Sequence, residues 1–147
     1  MITYYKNNKG LTQTENREEN CWINVVCPTK EESKFLLKEL QVPEDFYNDI
    51  EDIDERPRIE FENGWTLIIL RIPFKSEDPK LPFNTAPLGL MFKDDVFLSL
   101  CFHQTEILKD FVLYTKRKKI IIENDFDLVL KLLLSSSVWF LKYLKQI

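Results

Sequence analysis

The chain has 147 residues, is 44% hydrophobic and 13% aromatic, and carries a formal net charge of −4 at pH 7. That length suits one domain with a sizeable core, and the apolar content excludes a disordered segment. The acidic balance excludes general nucleic-acid binding, which needs a basic face to neutralise phosphate.

No apolar run of signal-peptide type follows Met1. "ITYYK" predicts a first strand and "NNKG" a turn, followed by a polar loop, "QTENREEN". "CWINVV" is a short apolar strand that ends at Pro28, which has no amide proton for a ladder. Thr29 and Glu32 form a capping box. They predict a helix to about Leu40 that buries Phe35, Leu36 and Leu40. "VPEDFYNDI" starts a shorter helix with Pro43 near its first turn and Phe46, Tyr47 and Ile50 on one face.

"RIEF" alternates polar and apolar residues, as a strand does; "ENG" is a turn. "WTLIILRIPF" is a long strand buried on both faces in its middle, and "KSEDPKLPFNTAP" is a loop. "LGLMF", "KDD" and "VFLSLCF" make a hairpin. "QTEILKDFVLYT" is an amphipathic helix with Ile107, Leu108, Phe111 and Val112 inward, and "KRKK" a solvated connection. Asn124 caps a last helix. On it Phe126, Val129, Leu130, Leu133, Ser137, Leu141 and Leu144 trace the expected stripe, with Leu128, Leu132, Trp139 and Tyr143 off it. A helix apolar on more than one side expects more than one neighbour, and this one has no terminating signal before Ile147, as if cut short. Its longest charge-free run, Leu132 to Leu141, is too short to cross a bilayer.

The order β-β-α-α-β-β-β-β-α-α predicts an α/β fold: a mixed-sheet α/β/α sandwich (residues 1–123) followed by the start of a long stalk-type helix (residues 124–147). The three cysteines, Cys21, Cys27 and Cys101, form no CxxC pair and are expected to be small buried hydrophobes in a reducing compartment. His103, the one histidine, is expected to make a local hydrogen bond. Nothing supports an enzyme: there is no glycine-rich phosphate loop and no nucleophile elbow.

The stretch with the most chemistry is "DIEDIDERPRIEFE", with seven carboxylates between Asp49 and Glu62. It lacks the spacing and glycine of an EF-hand. Two readings stay open: a solvated acidic face, or a weak site for a hard cation such as Mg²⁺ or Ca²⁺. If the helix continues through Asp49, then Asp45, Asp49 and Asp52 share one face at i, i+4 and i+7.

In order and spacing, "CWINVVCPTKEE", "VPEDFYND", "IEDIDE", "RPRIEF", "GWTLIILRIPF", "LGLMFKDDVFLSLCF" and "DFDLVLKLLL" resemble the cytoplasmic domain of the CorA-like divalent-cation transporters, from about Cys21 to Ile147. The resemblance implies a pentameric Mg²⁺/Co²⁺ transporter of the bacterial inner membrane. Its soluble domain would bind regulatory Mg²⁺ between subunits and gate the pore. It implies Asp49 as the regulatory carboxylate, with Asn48 where the family often has Glu. Asp45 and Asp52 are further candidates. The partner carboxylate and the membrane segment would lie beyond Ile147. A zinc-transporting relative of the same fold, or an acidic protein-interaction module without a metal role, is the alternative. Alone, this chain is expected to be a monomer or a weak dimer held by the apolar face of its last helix.

Overall fold

The computed structural model describes residues 1–147. Seven strands form one sheet: β1 (Ile2–Asn7), β2 (Leu11–Thr14), β3 (Trp22–Val26), β4 (Arg58–Glu62), β5 (Trp65–Lys75), β6 (Phe83–Lys93) and β7 (Val96–Cys101). Their spatial order is β2-β1-β3-β7-β6-β5-β4. All neighbours are antiparallel except β3 and β7, which run parallel, so the sheet is mixed as expected.

The helices are α1 (Lys30–Lys34), which continues as a π-helical turn over Phe35–Glu39, α2 (Glu44–Glu51), α3 (Ile107–Arg117) and α4 (Asp125–Leu144). Both halves of the Thr29–Glu32 capping box form. The first helix is therefore α-helical for little more than a turn before it widens, and Gln41, at φ +57°, ends it.

A core lies on each face of the sheet. Leu36, Val42, Phe46 and Ile50 of the α1–α2 segment pack on Ile23, Leu67, Ile69 and Leu98. Ile107, Leu108, Phe111 and Val112 of α3, with Leu128, Val129 and Leu132 of α4, pack on Trp22, Ile68, Ile72, Leu88 and Leu90. Leu67, Ile68 and Ile69 are consecutive and all buried, as a strand covered on both faces requires. Between β3 and β7, Trp22 Nε1 donates to Ser99 Oγ at 2.7 Å, and Ser99 Oγ donates to Asn24 Oδ1 at 2.8 Å. This buried pair of bonds lets a polar residue stand in the middle of "WINVV".

Four expectations need correction. The loop predicted at "QTENREEN" begins as β2, because Gly10, at φ +110°, turns the chain back on β1. The loop predicted at "KSEDPKLPFNTAP" is strand from Phe83; Pro87 stands there beyond the end of the β6–β7 pairing, which stops at Gly89. On α4 the buried residues are Leu128, Val129, Leu132, Ser136 and Tyr143, while Phe126, Leu130, Leu133, Leu141 and Leu144 are exposed. The expected stripe is thus mostly the outer face, since the helix is apolar all round and periodicity does not mark its inner side. Cys21 and Cys101 are buried, but Cys27 is exposed, its backbone at φ +46°. Burial pushes the Cys101 thiol up to about 11.

His103 stacks on Phe74 with ring centroids 5.0 Å apart, and its carbonyl accepts a bond from Cys101 Sγ. The "KRKK" run is exposed.

Candidate functional site

The acidic stretch forms a corner where α2, the following loop and edge strand β4 meet. Helix α2 starts at Pro43, with Glu44 and Asp45 in its first turn, where the helix dipole favours negative charge. Phe46 and Ile50 are buried and fix its rotation. Ile50 lies over Gly89 of β6 so closely that a Cβ there would sit 2.1 Å from Ile50 Cδ1. This contact sets how near α2 comes to the sheet. Asp45 and Asp49, one turn apart, are left on the outer side.

Strand β4 supplies the opposite wall. Arg58, Glu60 and Glu62 alternate with the exposed Ile59 and Phe61. Glu60 pairs with Leu67, which belongs to the core under α2, so Arg58, Glu60 and Glu62 share the α2 face. Asp45, Phe46, Asp49, Glu60, Phe61 and Glu62 line an open depression of about 490 Å³.

One guanidinium stands among these carboxylates. Arg58 Nη2 donates to Asp49 Oδ2 at 2.6 Å and to Glu60 Oε2 at 3.2 Å, and Nη1 donates to Glu55 Oε1. A second arginine holds the loop from below. Arg71 of β5 donates to the carbonyls of Ile53 at 2.6 Å and Glu55 at 3.0 Å, and to the Thr85 carbonyl at 2.6 Å.

The helix ends at Glu51, so the i+7 placement of Asp52 is not realised; its backbone is already extended, and its Oδ1 accepts the Asp54 amide at 3.0 Å. The structure brings Asp45 and Asp49 together with Glu60 and Glu62, and places Asp52 in its own turn. Asn48 is exposed. Sequence reasoning missed Arg58, Glu60 and Arg71 as parts of this corner. The two-residue period of "RIEFE" carried the signal for the first two. Nothing local marks Arg71, whose partners lie 14 to 18 residues away.

Burial raises the Asp49 carboxyl above its ordinary value, Arg58 lowers it, and Glu55, Glu60 and Asp45 raise it further; the net direction is upward. The native state therefore holds a proton on Asp49 more readily than the unfolded chain does. Stability contributed by this group falls as pH rises from the ordinary value of 3.8 to the folded-state value, and stays lower above it. Asp49→Asn, which keeps the shape without the charge, should match the wild type in urea melts at the acid end of this window. It should become slightly more stable than wild type as pH rises through the window. The gain is small because the Asp49 side chain is a third exposed. A loss of stability at neutral pH would mean that the Arg58 pair outweighs burial.

The donors here are all carboxylate oxygens, with no thiol or imidazole, which suits a hard cation such as Mg²⁺ over Zn²⁺. No three His, Cys, Asp or Glu side chains of this chain come together closely enough to hold a metal ion. Any ion bound here would need further ligands from water or another chain.

This α/β fold, a seven-stranded mixed sheet covered on both faces with a long C-terminal helix, matches that of the soluble domain of CorA. The chain belongs to the family of CorA-like Mg²⁺ transporter proteins, whose family model matches residues 17–147. The complete CorA magnesium transporter from Methanocaldococcus jannaschii matches with a TM-score of 0.79 at 21% identity, over 99% of this chain and 47% of that one. The soluble domain of the same CorA gives a TM-score of 0.74 at 20% identity, over 98% of this chain and 60% of that one. The cytoplasmic domain of ZntB from Vibrio parahaemolyticus RIMD 2210633 gives 0.73 at 12% identity, over 99% of this chain and 61% of that one. The chain thus spans about half the length of the complete transporter it matches. No curated protein matches the chain. No helix is long and apolar enough to cross a membrane.

Proposed function

We propose that this chain is the cytoplasmic regulatory domain of a CorA-like divalent-cation transporter, carrying Mg²⁺ and Co²⁺ across the bacterial inner membrane as a homopentamer. The family match over residues 17–147 carries this reading. In it the domain has no enzymatic role. Mg²⁺ is a weak regulatory ligand, held between neighbouring subunits, with Asp49 as one ligand. Asp45 stands beside it in the same depression, and Asp52 is the weaker candidate because its carboxylate serves its own turn.

Bound Mg²⁺ would offset the repulsion among these carboxylates and hold subunits together; its loss would let them separate and release the pore. The ion acts only through its different affinity for the two arrangements. Residues 124–147 would lead towards the stalk, and the exposed apolar side of α4 suits a helix with a second neighbour. The oxygen-only donor set favours Mg²⁺ over Zn²⁺ as the regulatory ion.

The test is a Mg²⁺ titration of the protein with its native flanking sequence, followed by light scattering and limited proteolysis. Wild type should show Mg²⁺-dependent protection or assembly, and Asp49→Ala should lose it. An unchanged response in Asp49→Ala would remove Asp49 from the site. No response in either protein, up to tens of millimolar (roughly the weak limit of oxygen-ligand sites), would return the corner to a solvated acidic face.

A further inference from the structure

We propose that the depression at the start of α3 binds a small, doubly charged oxyanion, a phosphate group, through the Tyr143 hydroxyl and the ammonium groups of Lys75 and Lys109. The depression lies on the opposite face of the sheet from the acidic corner, so it does not depend on the reading of Asp49.

Three elements build it. Lys75 ends β5. Gln104, Thr105 and Glu106 lead into α3, and Lys109 stands in its first turn. Tyr143 belongs to the last turn of α4. Together with Phe74 they line about 230 Å³. That is below the roughly 300–1,000 Å³ of sites for whole small molecules, and it suits a single charged group with its waters.

Tyr143 is the residue that points to a ligand. It is only 5% exposed. Its ring packs on Phe83, with centroids 4.9 Å apart, and on Trp139, at 5.4 Å. Yet no protein group hydrogen-bonds its hydroxyl, and the hydroxyl is not sealed in the core. A side chain so buried ordinarily finds a partner for its polar atom. This one opens on the depression, beside Glu106. Burial, and then the Glu106 carboxylate, push the phenol above its ordinary value. It therefore keeps its proton at neutral pH and has one to donate.

The other donors are free as well. Neither Lys75 nor Lys109 is in an ion pair. Thr105 Oγ1 accepts the Ile107 amide at 3.3 Å, which leaves its own hydroxyl proton to donate. The positive end of the α3 dipole acts in the same sense. Against two ammonium groups stands one carboxylate, Glu106, so the depression is net positive on a chain whose formal net charge is −4. A dianion matches the two ammoniums; a monoanion gains about half as much from the same charges.

The test is titration of the full chain with inorganic phosphate and, separately, with the monoester glycerol phosphate, each against NaCl at the same ionic strength. Binding is read by calorimetry and by the backbone amide signals of Leu108 and Lys109 in ¹⁵N NMR. At least one of the two should bind; binding of the monoester alone, or of the free ion alone, upholds the site and names the source. Tyr143→Phe keeps the ring and its packing, and should weaken binding about tenfold, the loss of one hydrogen bond to a charged group. Lys109→Gln should weaken it several-fold, and by less at high salt. Glu106→Gln should tighten it several-fold, which a merely structural role for Glu106 would not do.

No binding of either phosphate overturns the proposal. So does NaCl moving the same signals to the same extent, which reduces the effect to screening. Unchanged binding in Tyr143→Phe overturns it too. Should Tyr143→Phe fail to fold, Glu106→Gln decides alone: tighter binding upholds the site, and unchanged or weaker binding overturns it.

Discussion

Gly89→Val should destabilise the protein by about 3 kcal/mol in urea unfolding, the upper part of the usual range for overpacking a core. A Cβ at this position would lie 2.1 Å from Ile50 Cδ1 and 2.6 Å from Ile50 Cγ1, both far inside van der Waals contact. Ile50 is 1% exposed and pinned among Phe46, Leu67 and Ile69, so its side chain has nowhere to go. The helix must move instead, and it carries Asp45 and Asp49 with it. The substitution should therefore also abolish any Mg²⁺ response that depends on Asp49. Adding Ile50→Ala to Gly89→Val opens the missing space. The double variant should recover part of the loss, so that the two changes cost less together than their sum. Additive costs would place the clash elsewhere.

Gly10→Ala should cost a similar amount, about 3 kcal/mol, for a different reason. Gly10 sits at φ +110°, where an L side chain is strained by roughly 1–3 kcal/mol. A Cβ there would also meet the backbone of α3, 2.7 Å from Lys116 Cα and 2.8 Å from the Thr115 carbonyl oxygen. Backbone yields less readily than a side chain. The next residue is tied to the same place: the Leu11 amide donates to Thr115 Oγ1 at 3.1 Å, and Thr115 Oγ1 donates to the Val112 carbonyl at 2.7 Å. The turn between β1 and β2 is thus locked on the end of α3. A thermal melt of Gly10→Ala within a degree of wild type would show that the turn relaxes freely.

Much of this was written in local pattern. The Thr29–Glu32 box, the strand buried on both faces, the hairpin between β6 and β7, and the inward residues of α3 all follow from period, caps and turn residues. The missed elements share a cause. Strand β2 has only four residues, mostly polar, and pairs because Gly10 delivers it to β1. The first half of β6 lies among prolines and is held by Arg71 reaching Thr85. On α4, apolar residues on every side erase the periodic signal that separates inner from outer faces. The acidic corner was half legible. Asp45 and Asp49 follow from helical spacing, but the helix stops before Asp52, and the arginines that organise the carboxylates come from strands whose facing depends on tertiary pairing.

The one parallel pairing, β3 on β7, has a consequence for how the chain is made. It joins two antiparallel ribbons, β2-β1-β3 and β7-β6-β5-β4, along a single line from Trp22–Phe97 to Val26–Cys101. Strand β3 must wait for a partner some 75 residues downstream in the chain, the separation between Asn24 and Ser99. During synthesis the amino-terminal ribbon therefore leaves the ribosome with one edge open and apolar, while the carboxy-terminal ribbon assembles from neighbours. Joining them is the long-range, slow step. Until it happens, the open edge of β3 is an unpaired template on which another chain can add a strand.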